Sequence, residues 1–221
     1  MPNPLAVPVR AFIFDLDGTL IDSRMDLVNS VNAMLRATGR SELPVDTITG
    51  YIGHGAPQLI ASALGPDATD FDRQSALAVF LADYEKHNLD LTRPYSGVFE
   101  GLTALAGYPM AVLTNKPVKM SVQILRELGL ARFFTAIYGG DSFSKKKPDP
   151  TGALSVVRDL GIAPGETAMV GDSDVDIQTA RNSAMRAFAV TYGFGVYDRV
   201  ANPADLYLDS LTALSSTSGV T

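Results

Sequence analysis

Asp15-Leu16-Asp17-Gly18-Thr19 places two carboxylates two residues apart at the end of an apolar run. On an extended chain such residues point to one face, so both acids crowd one small volume. That arrangement is unfavourable unless a cation or a proton intervenes. Three further polar clusters follow: Thr114-Asn115-Lys116-Pro117, Lys145-Lys146-Lys147-Pro148, and Gly171-Asp172-Ser173 with Asp176. Each has an ordinary explanation by itself. Asp-Gly punctuates turns, Ser173 or Asp172 suits a helix start, and a lysine run is commonly a solvated patch. Taken together, the carboxylates form an oxygen-rich site. Cysteine is absent and His54 and His87 are the two histidines, so zinc lacks its usual ligands. Carboxylates with open positions for water and phosphate favour Mg²⁺. Thr114 adds a hydroxyl, and Pro117 at a first helical position leaves free N–H groups as an anion seat. Pro148 restrains Lys147, whose ammonium can neutralise a phosphate and a carboxylate together.

The elements that must carry these groups are legible from apolar spacing. Residues 9–16 read as a buried strand closed by Asp-Gly. Asp22 and Ser23 can cap a helix with Leu27, Val28, Val31, Met34 and Leu35 on one face, closed by Gly39. Further helices are expected at 45–51, at 56–64 and from about residue 69, the last with Leu77, Phe80, Leu81 and Tyr84 on one face. No strand is expected between residues 22 and 87, so this block is all helical. Beyond Tyr95 the pattern alternates: helix 98–106, strand 110–114, helix 118–128, strand 136–138, helix 150–160, strand 167–170, helix 175–183, strand 187–190 and strand 206–208. Residues 215–221 read as a frayed polar tail. Alternation of this kind implies a parallel sheet with helices on both faces. Ligands then sit at the carboxyl ends of the strands, where most of the polar clusters fall. A helical insertion leaving strand one hangs over that edge as a lid.

A chain of 221 residues suits one core plus a sizeable insertion. The net charge of −6 speaks against nucleic acid or an anionic membrane as partner. A small anionic substrate is still compatible, because a metal ion and a few local cations reverse the sign at one site. Residues 1–10 read as neither signal peptide nor membrane span, which leads to the expectation of a cytoplasmic protein. No Gly-x-x-x-x-Gly-Lys-Ser/Thr loop, no Gly-x-Gly-x-x-Gly after a strand and no Gly-x-Ser-x-Gly elbow occurs. Phosphatase mechanisms built on cysteine or histidine lack their residues, which leaves a carboxylate nucleophile.

In this order the four clusters resemble the haloacid dehalogenase superfamily, over nearly the whole chain. The resemblance implies a doubly wound, Rossmann-like parallel α/β core with an inserted α-helical cap of the first type. The expected division is a core of residues 1–20 and 93–221 and a cap of residues 21–92. It implies Asp15 as nucleophile, Asp17 as general acid/base, and Thr114 and Lys147 as catalytic partners. Mg²⁺ would be held by the Asp15 carboxylate, the Asp17 carbonyl and Asp172, supported by Asp176 and Ser173. Phosphate would meet Gly18, Thr114, Asn115 and Lys147. Asp15 must stay ionised, while Asp17 must be shifted upward by its carboxylate neighbours and by cap closure. Within the superfamily the chain looks most similar to the phosphoglycolate phosphatases, on Leu20-Ile21-Asp22-Ser23, Tyr51-Ile52-Gly53-His54-Gly55-Ala56 and Tyr192-Gly193-Phe194-Gly195. The substrate is then a small phosphorylated metabolite such as 2-phosphoglycolate, with His54, Arg24 or Lys116 meeting its carboxylate. A phosphomutase of the β-phosphoglucomutase type, an inorganic pyrophosphatase and a phospho-accepting regulatory protein are the alternatives. The chain is expected to be a monomer or homodimer.

Overall fold

β1 (Ala11–Phe14) is buried along its whole length, as a central strand of a parallel sheet must be. In the computed structural model, which describes residues 8–216, it pairs in parallel with β4 (Met110–Leu113) and β6 (Thr167–Gly171). β5 (Ala136–Tyr138) extends one side, and β7 (Arg186–Val190) and β8 (Leu206–Leu208) extend the other. The result is a six-stranded, all-parallel sheet in the order β5-β4-β1-β6-β7-β8. The chain moves outward from β1 to β5, then returns to β6 across β1. The reversal beside β1 opens the crevice in which such sheets hold ligands.

Alternate residues of β1 serve two cores. Phe12 and Phe14 pack with Leu102 of α5 (Val98–Ala104), Ile124 of α6 (Val118–Glu127) and Leu211 of a terminal 3₁₀ segment (Leu211–Ser216). Ile13 packs with Val156 of α7 (Pro150–Leu160) and Ile177 of α8 (Asp174–Asn182). That 3₁₀ segment occupies the first two positions of the expected polar tail, and residues 217–221 lie outside the described residues, as do residues 1–7. Most other element ends fall within two residues of expectation.

Between β1 and β4 the chain forms α1 (Arg24–Ala37), α2 (Val45–Thr49), α3 (Ala56–Leu64) and α4 (Asp70–His87). These helices share a core of their own built from Val31, Met34, Ile48, Ile60 and Phe80. One residue from outside the block, Met120 of α6, joins that core and marks the seam. The chain crosses to and from the block through an antiparallel ribbon, β2 (Ile21–Asp22) with β3 (Arg93–Pro94). Sequence reading has no strand here, because two residues offer no alternation to read. Beside the ribbon the buried Asp26 carboxylate accepts from the Leu91 and Thr92 N–H groups and the Thr92 hydroxyl, strapping α1 to the exit strand. Among the described residues no helix is long and apolar enough to cross a membrane.

Candidate active site

β1 ends at Phe14, and the chain turns at once. The Leu16 carbonyl accepts from the N–H groups of Thr19, Leu20 and Ile21, so Asp15 and Asp17 stand on a tight loop and not on an extended strand. The expected crowding of both carboxylates in one volume is therefore corrected. Among the described residues, the acids that converge are Asp15, Asp172 and Asp176, with one oxygen of each within 4.8 Å of the others. Asp17 faces the helical block.

Lys147 stands within the converging group. Its Nζ lies 2.8 Å from Asp15 Oδ1 and 2.6 Å from Asp176 Oδ1, in a setting where the lysine side chain is 3% exposed. Burial alone would lower the lysine pKa, but the charges of Asp15 and Asp176 outweigh it and hold the ammonium protonated. One cation against three acids leaves an excess of negative charge. Desolvation first, then the charge of Asp176 against the opposing pull of Lys147, raises Asp15 to about 6. Desolvation followed by the charges of Asp176 and Asp15 raises Asp172 well above the usual carboxylate range. At about 6, Asp15 is less completely ionised than a free carboxylate but is still mostly ionised at neutral pH. The all-oxygen donor set and its uncompensated charge fit a hard divalent cation held by Asp15, Asp172 and Asp176.

Asp176 also completes a capping box. Its Oδ2 accepts from the Ser173 hydroxyl at 2.7 Å and the Ser173 N–H at 3.2 Å, which fixes the start of α8. The helix-cap explanation and the site explanation of Asp176 both hold, one for each oxygen.

Asp172 is enclosed by glycines. Gly18 adopts φ +83°, and a Cβ there would meet Asp172 Oδ2 at 1.9 Å. A Cβ at Gly193 would meet the same oxygen at 2.5 Å. The Gly195 N–H donates to it at 2.6 Å. Gly18 was expected to bind phosphate, yet its N–H is engaged by the Ile21 carbonyl at 2.9 Å. Its role in this geometry is to let Asp172 approach.

The Asn115 side chain has a structural task. Its amide nitrogen donates to the carbonyls of Gly53 at 2.9 Å and Lys147 at 3.1 Å, and its oxygen accepts the Lys147 N–H at 3.0 Å. Those contacts clamp the lysine loop and the cap loop to the end of β4, so the side chain is not available to phosphate. Thr114 is buried at the same strand end, its Oγ1 accepting weakly from the Lys116 N–H at 3.3 Å. Pro117 is the N-cap of α6 and not its first helical residue. The first N–H of that helix is taken by Asp141 Oδ1 at 2.7 Å, which fills part of the expected anion seat.

The largest departure concerns Lys116. Its Nζ lies 2.9 Å and 3.0 Å from the two oxygens of Asp17 and 2.7 Å from Tyr84 Oη, all in a buried setting. Ser23 donates to the same Asp17 carboxylate at 2.5 Å instead of capping α1. Tyr84, Ser23, Gly193 and Gly195 were not singled out as site residues by sequence reading. Tyr84 reads as one more apolar-face position of α4, and Ser23 as an N-cap, so neither carries a separate signal.

Asp15, Asp17, Tyr84, Thr114, Lys116, Asp172 and Gly195 border a cavity of about 50 Å³. Its floor holds Asp15, Thr114, Asp172 and Ser173, and its roof is built by Leu27, Ile52, Leu59, Phe80 and Leu81. Of the candidates for a substrate carboxylate, Lys116 borders the cavity. His54 is exposed while its neighbours Gly53 and Gly55 line the wall, and Arg24 pairs with Asp22 at 3.6 Å outside it.

Comparison with known proteins agrees with this geometry. The profile of the haloacid dehalogenase-like hydrolase family matches residues 12–190, and the chain belongs to that family. It is 39% identical over 195 residues to a phosphoglycolate phosphatase of Nitrosospira multiformis, covering 85% of this chain and 86% of that protein. It is 38% identical over 208 residues to a phosphoglycolate phosphatase of Agrobacterium fabrum, covering 92% and 89%. Among solved structures, a predicted phosphoglycolate phosphatase from Haemophilus somnus superposes with a TM-score of 0.88 at 28% identity, covering 94% of this chain and 97% of that one.

Proposed function

We propose that this haloacid dehalogenase-like hydrolase is a Mg²⁺-dependent phosphatase that cleaves a small phosphate monoester through a phospho-aspartate at Asp15, with 2-phosphoglycolate as its substrate. The observation that carries the reading is the separation of two aspartates that stand two residues apart in sequence. Asp15 is paired with Lys147 on the floor of the cavity, and Asp17 is turned toward the lid. One carboxylate can attack while the other handles a proton. The Asp15 oxygen displaces the leaving alkoxide from phosphorus and forms an acyl phosphate. Asp17 gives its proton to the departing oxygen, then takes one from the water that hydrolyses the acyl phosphate. Lys147 offsets charge at Asp15 and on the phosphoryl oxygens, and Thr114 offers a hydroxyl to them. Mg²⁺ would be held by the Asp15 carboxylate, the Asp17 carbonyl and Asp172, with Asp176 and Ser173 in support, and would supply positive charge against the phosphoryl oxygens.

The family resemblance makes residues 21–92 a lid on a core of residues 1–20 and 93–221. Uncatalysed monoester hydrolysis requires accelerations of up to about 10²¹, so water exclusion by the apolar roof matters as much as charge. The same reading gives a cytoplasmic enzyme of small-metabolite chemistry, with neither nucleic acid nor membrane as partner. The test is trapping. During turnover of 2-phosphoglycolate with Mg²⁺, borohydride quenching should convert Asp15 to homoserine in a fraction of the protein. Mass spectrometry that finds no modified Asp15 at saturating substrate, despite rapid phosphate release, would remove the covalent mechanism.

A further inference from the structure

The cavity above Asp15 is two-faced. Its roof is apolar at Leu27, Ile52, Leu59, Phe80 and Leu81, with Tyr84 of the same helical block bringing a hydroxyl to the wall. Among the described residues that line the cavity, one is a cation: Lys116. We propose that Lys116 and Tyr84 form the seat for the acidic end of the leaving group and so set specificity for a carboxylate-bearing monoester. The inference rests on the phosphatase reading above and deepens it.

The placement follows from connectivity. Asp17 must reach the ester oxygen, and Lys116 Nζ sits 2.9 Å and 3.0 Å from the Asp17 oxygens. The ammonium therefore lies one carboxylate beyond the leaving oxygen. In a 2-phosphoglycolate-like ester, the acid is attached to the carbon that bears that oxygen, and it arrives in the same space. An unpaired carboxylate under an apolar roof is strongly disfavoured, and Lys147, paired with Asp15, is assigned above to the phosphoryl oxygens. Tyr84 adds a second donor. Its Oη accepts from Lys116 at 2.7 Å, and among the described residues no acceptor takes its own proton. Burial above all pushes this phenol up to about 12, so the proton is present at neutral pH. The ring stacks on Phe80 at 5.5 Å between centroids, and Lys116 Nζ lies 4.6 Å from the Tyr84 centroid. Both donors are therefore held rigidly before substrate arrives.

Lys116 also touches Asp17, so loss of rate alone would not distinguish a seat from a support. The informative quantity is the ratio of kcat/KM for 2-phosphoglycolate to kcat/KM for ethyl phosphate, which lacks the acid. Both esters need Asp17, so damage to proton transfer cancels in the ratio. The wild type should favour 2-phosphoglycolate. Lys116→Met should lower the ratio about 10- to 100-fold, the scale of a charge-assisted hydrogen bond. Tyr84→Phe should lower it by less than about 10-fold, the scale of a neutral one. If Lys116→Met does not fold, Lys116→Gln keeps a donor of similar reach without the charge and carries the same expectation. An unchanged ratio in a folded Lys116 variant overturns the seat and leaves Lys116 as a positioning residue for Asp17. Equal turnover of both esters by the wild type also overturns it, while the phosphatase reading stands. Turnover of neither ester removes that reading and the seat with it.

Discussion

Asp15 and Asp17 are each held by one buried lysine, yet the two pairs are built differently. Asp15 shares Lys147 with Asp176 and faces Asp172, so its surroundings hold more negative charge than positive. Asp17 has Lys116 almost to itself, one ammonium against both carboxylate oxygens, with hydroxyls from Ser23 and Tyr84 completing the group. The first pair lies wholly within the α/β core. The second is completed by α4 and by the ribbon leading to α1, so it exists only when the helical block is docked. An excess of negative charge calls for a cation and suits a nucleophile that must be screened from phosphate. A neutralised carboxylate at a seam suits a group whose state depends on the lid and on what lies beneath it.

Removing each acid should break the symmetry sharply. Asp15→Asn should reduce phosphate release by more than about 10⁴-fold for every ester, because Asp172, the other carboxylate on the floor, is committed to the metal and Asn is no nucleophile. Asp17→Asn should reduce turnover of alkyl phosphates by about 10²- to 10⁴-fold, the range of general acid catalysis. Aryl phosphates leave without a proton, so the same variant should form the phospho-aspartate from 4-nitrophenyl phosphate at a rate much closer to normal. Burst kinetics with that ester measure the step directly. Equal losses for alkyl and aryl esters would mean that Asp17 does not act on the leaving group.

How much of this was legible in advance follows from the same contrast. β1, β4 and β6 read cleanly because parallel strands buried on both faces are unbroken apolar runs. Once they are recognised, topology alone brings Asp15, Thr114 and Asp172 to one sheet edge, and the loop after β5 delivers Lys147. The second pair depends on docking. Lys116 at the start of α6 and Tyr84 on α4 meet because the helical block folds back over the core, and no local spacing records that approach. Ser23 illustrates the limit well: its type and position suit an N-cap, but its hydroxyl turns to Asp17. The motif does not record that the Gly18 N–H closes a turn and that the Asn115 side chain clamps two loops. The ribbon of β2 and β3 is too short to show a period.

The charge imbalance of the first pair can be read through pH and metal removal. Without metal, Asp15 is raised from 3.8 to about 6 and Asp172 is raised as well. The folded chain then holds protons that the unfolded chain releases, so stability is greatest below about pH 4 on this account and falls as pH rises through about 6. In EDTA, this contribution to Tm should fall by several degrees across that window. Mg²⁺ competes with those protons, so its stabilisation should be larger at pH 7.5 than at pH 5. Asp15→Asn should flatten both trends.

Two serines offer the finest separation of the pairs. Ser173 and Ser23 both occupy N-cap positions, of α8 and α1. Ser173 forms a reciprocal capping box with Asp176, while Ser23 makes no side-chain cap and donates to Asp17. Ser173→Ala should therefore cost about 1 kcal/mol of stability. Ser23→Ala should cost less in stability, because α1 loses no cap. Its effect should appear in catalysis, with a several-fold fall in kcat for alkyl phosphates and little change for 4-nitrophenyl phosphate, following Asp17→Asn in miniature. Urea melts and paired kinetics on the two variants separate the roles. If Ser23→Ala instead destabilises the protein as much as Ser173→Ala and leaves the alkyl-to-aryl ratio unchanged, its hydroxyl is structural, and the Asp17 group reduces to Lys116 and Tyr84.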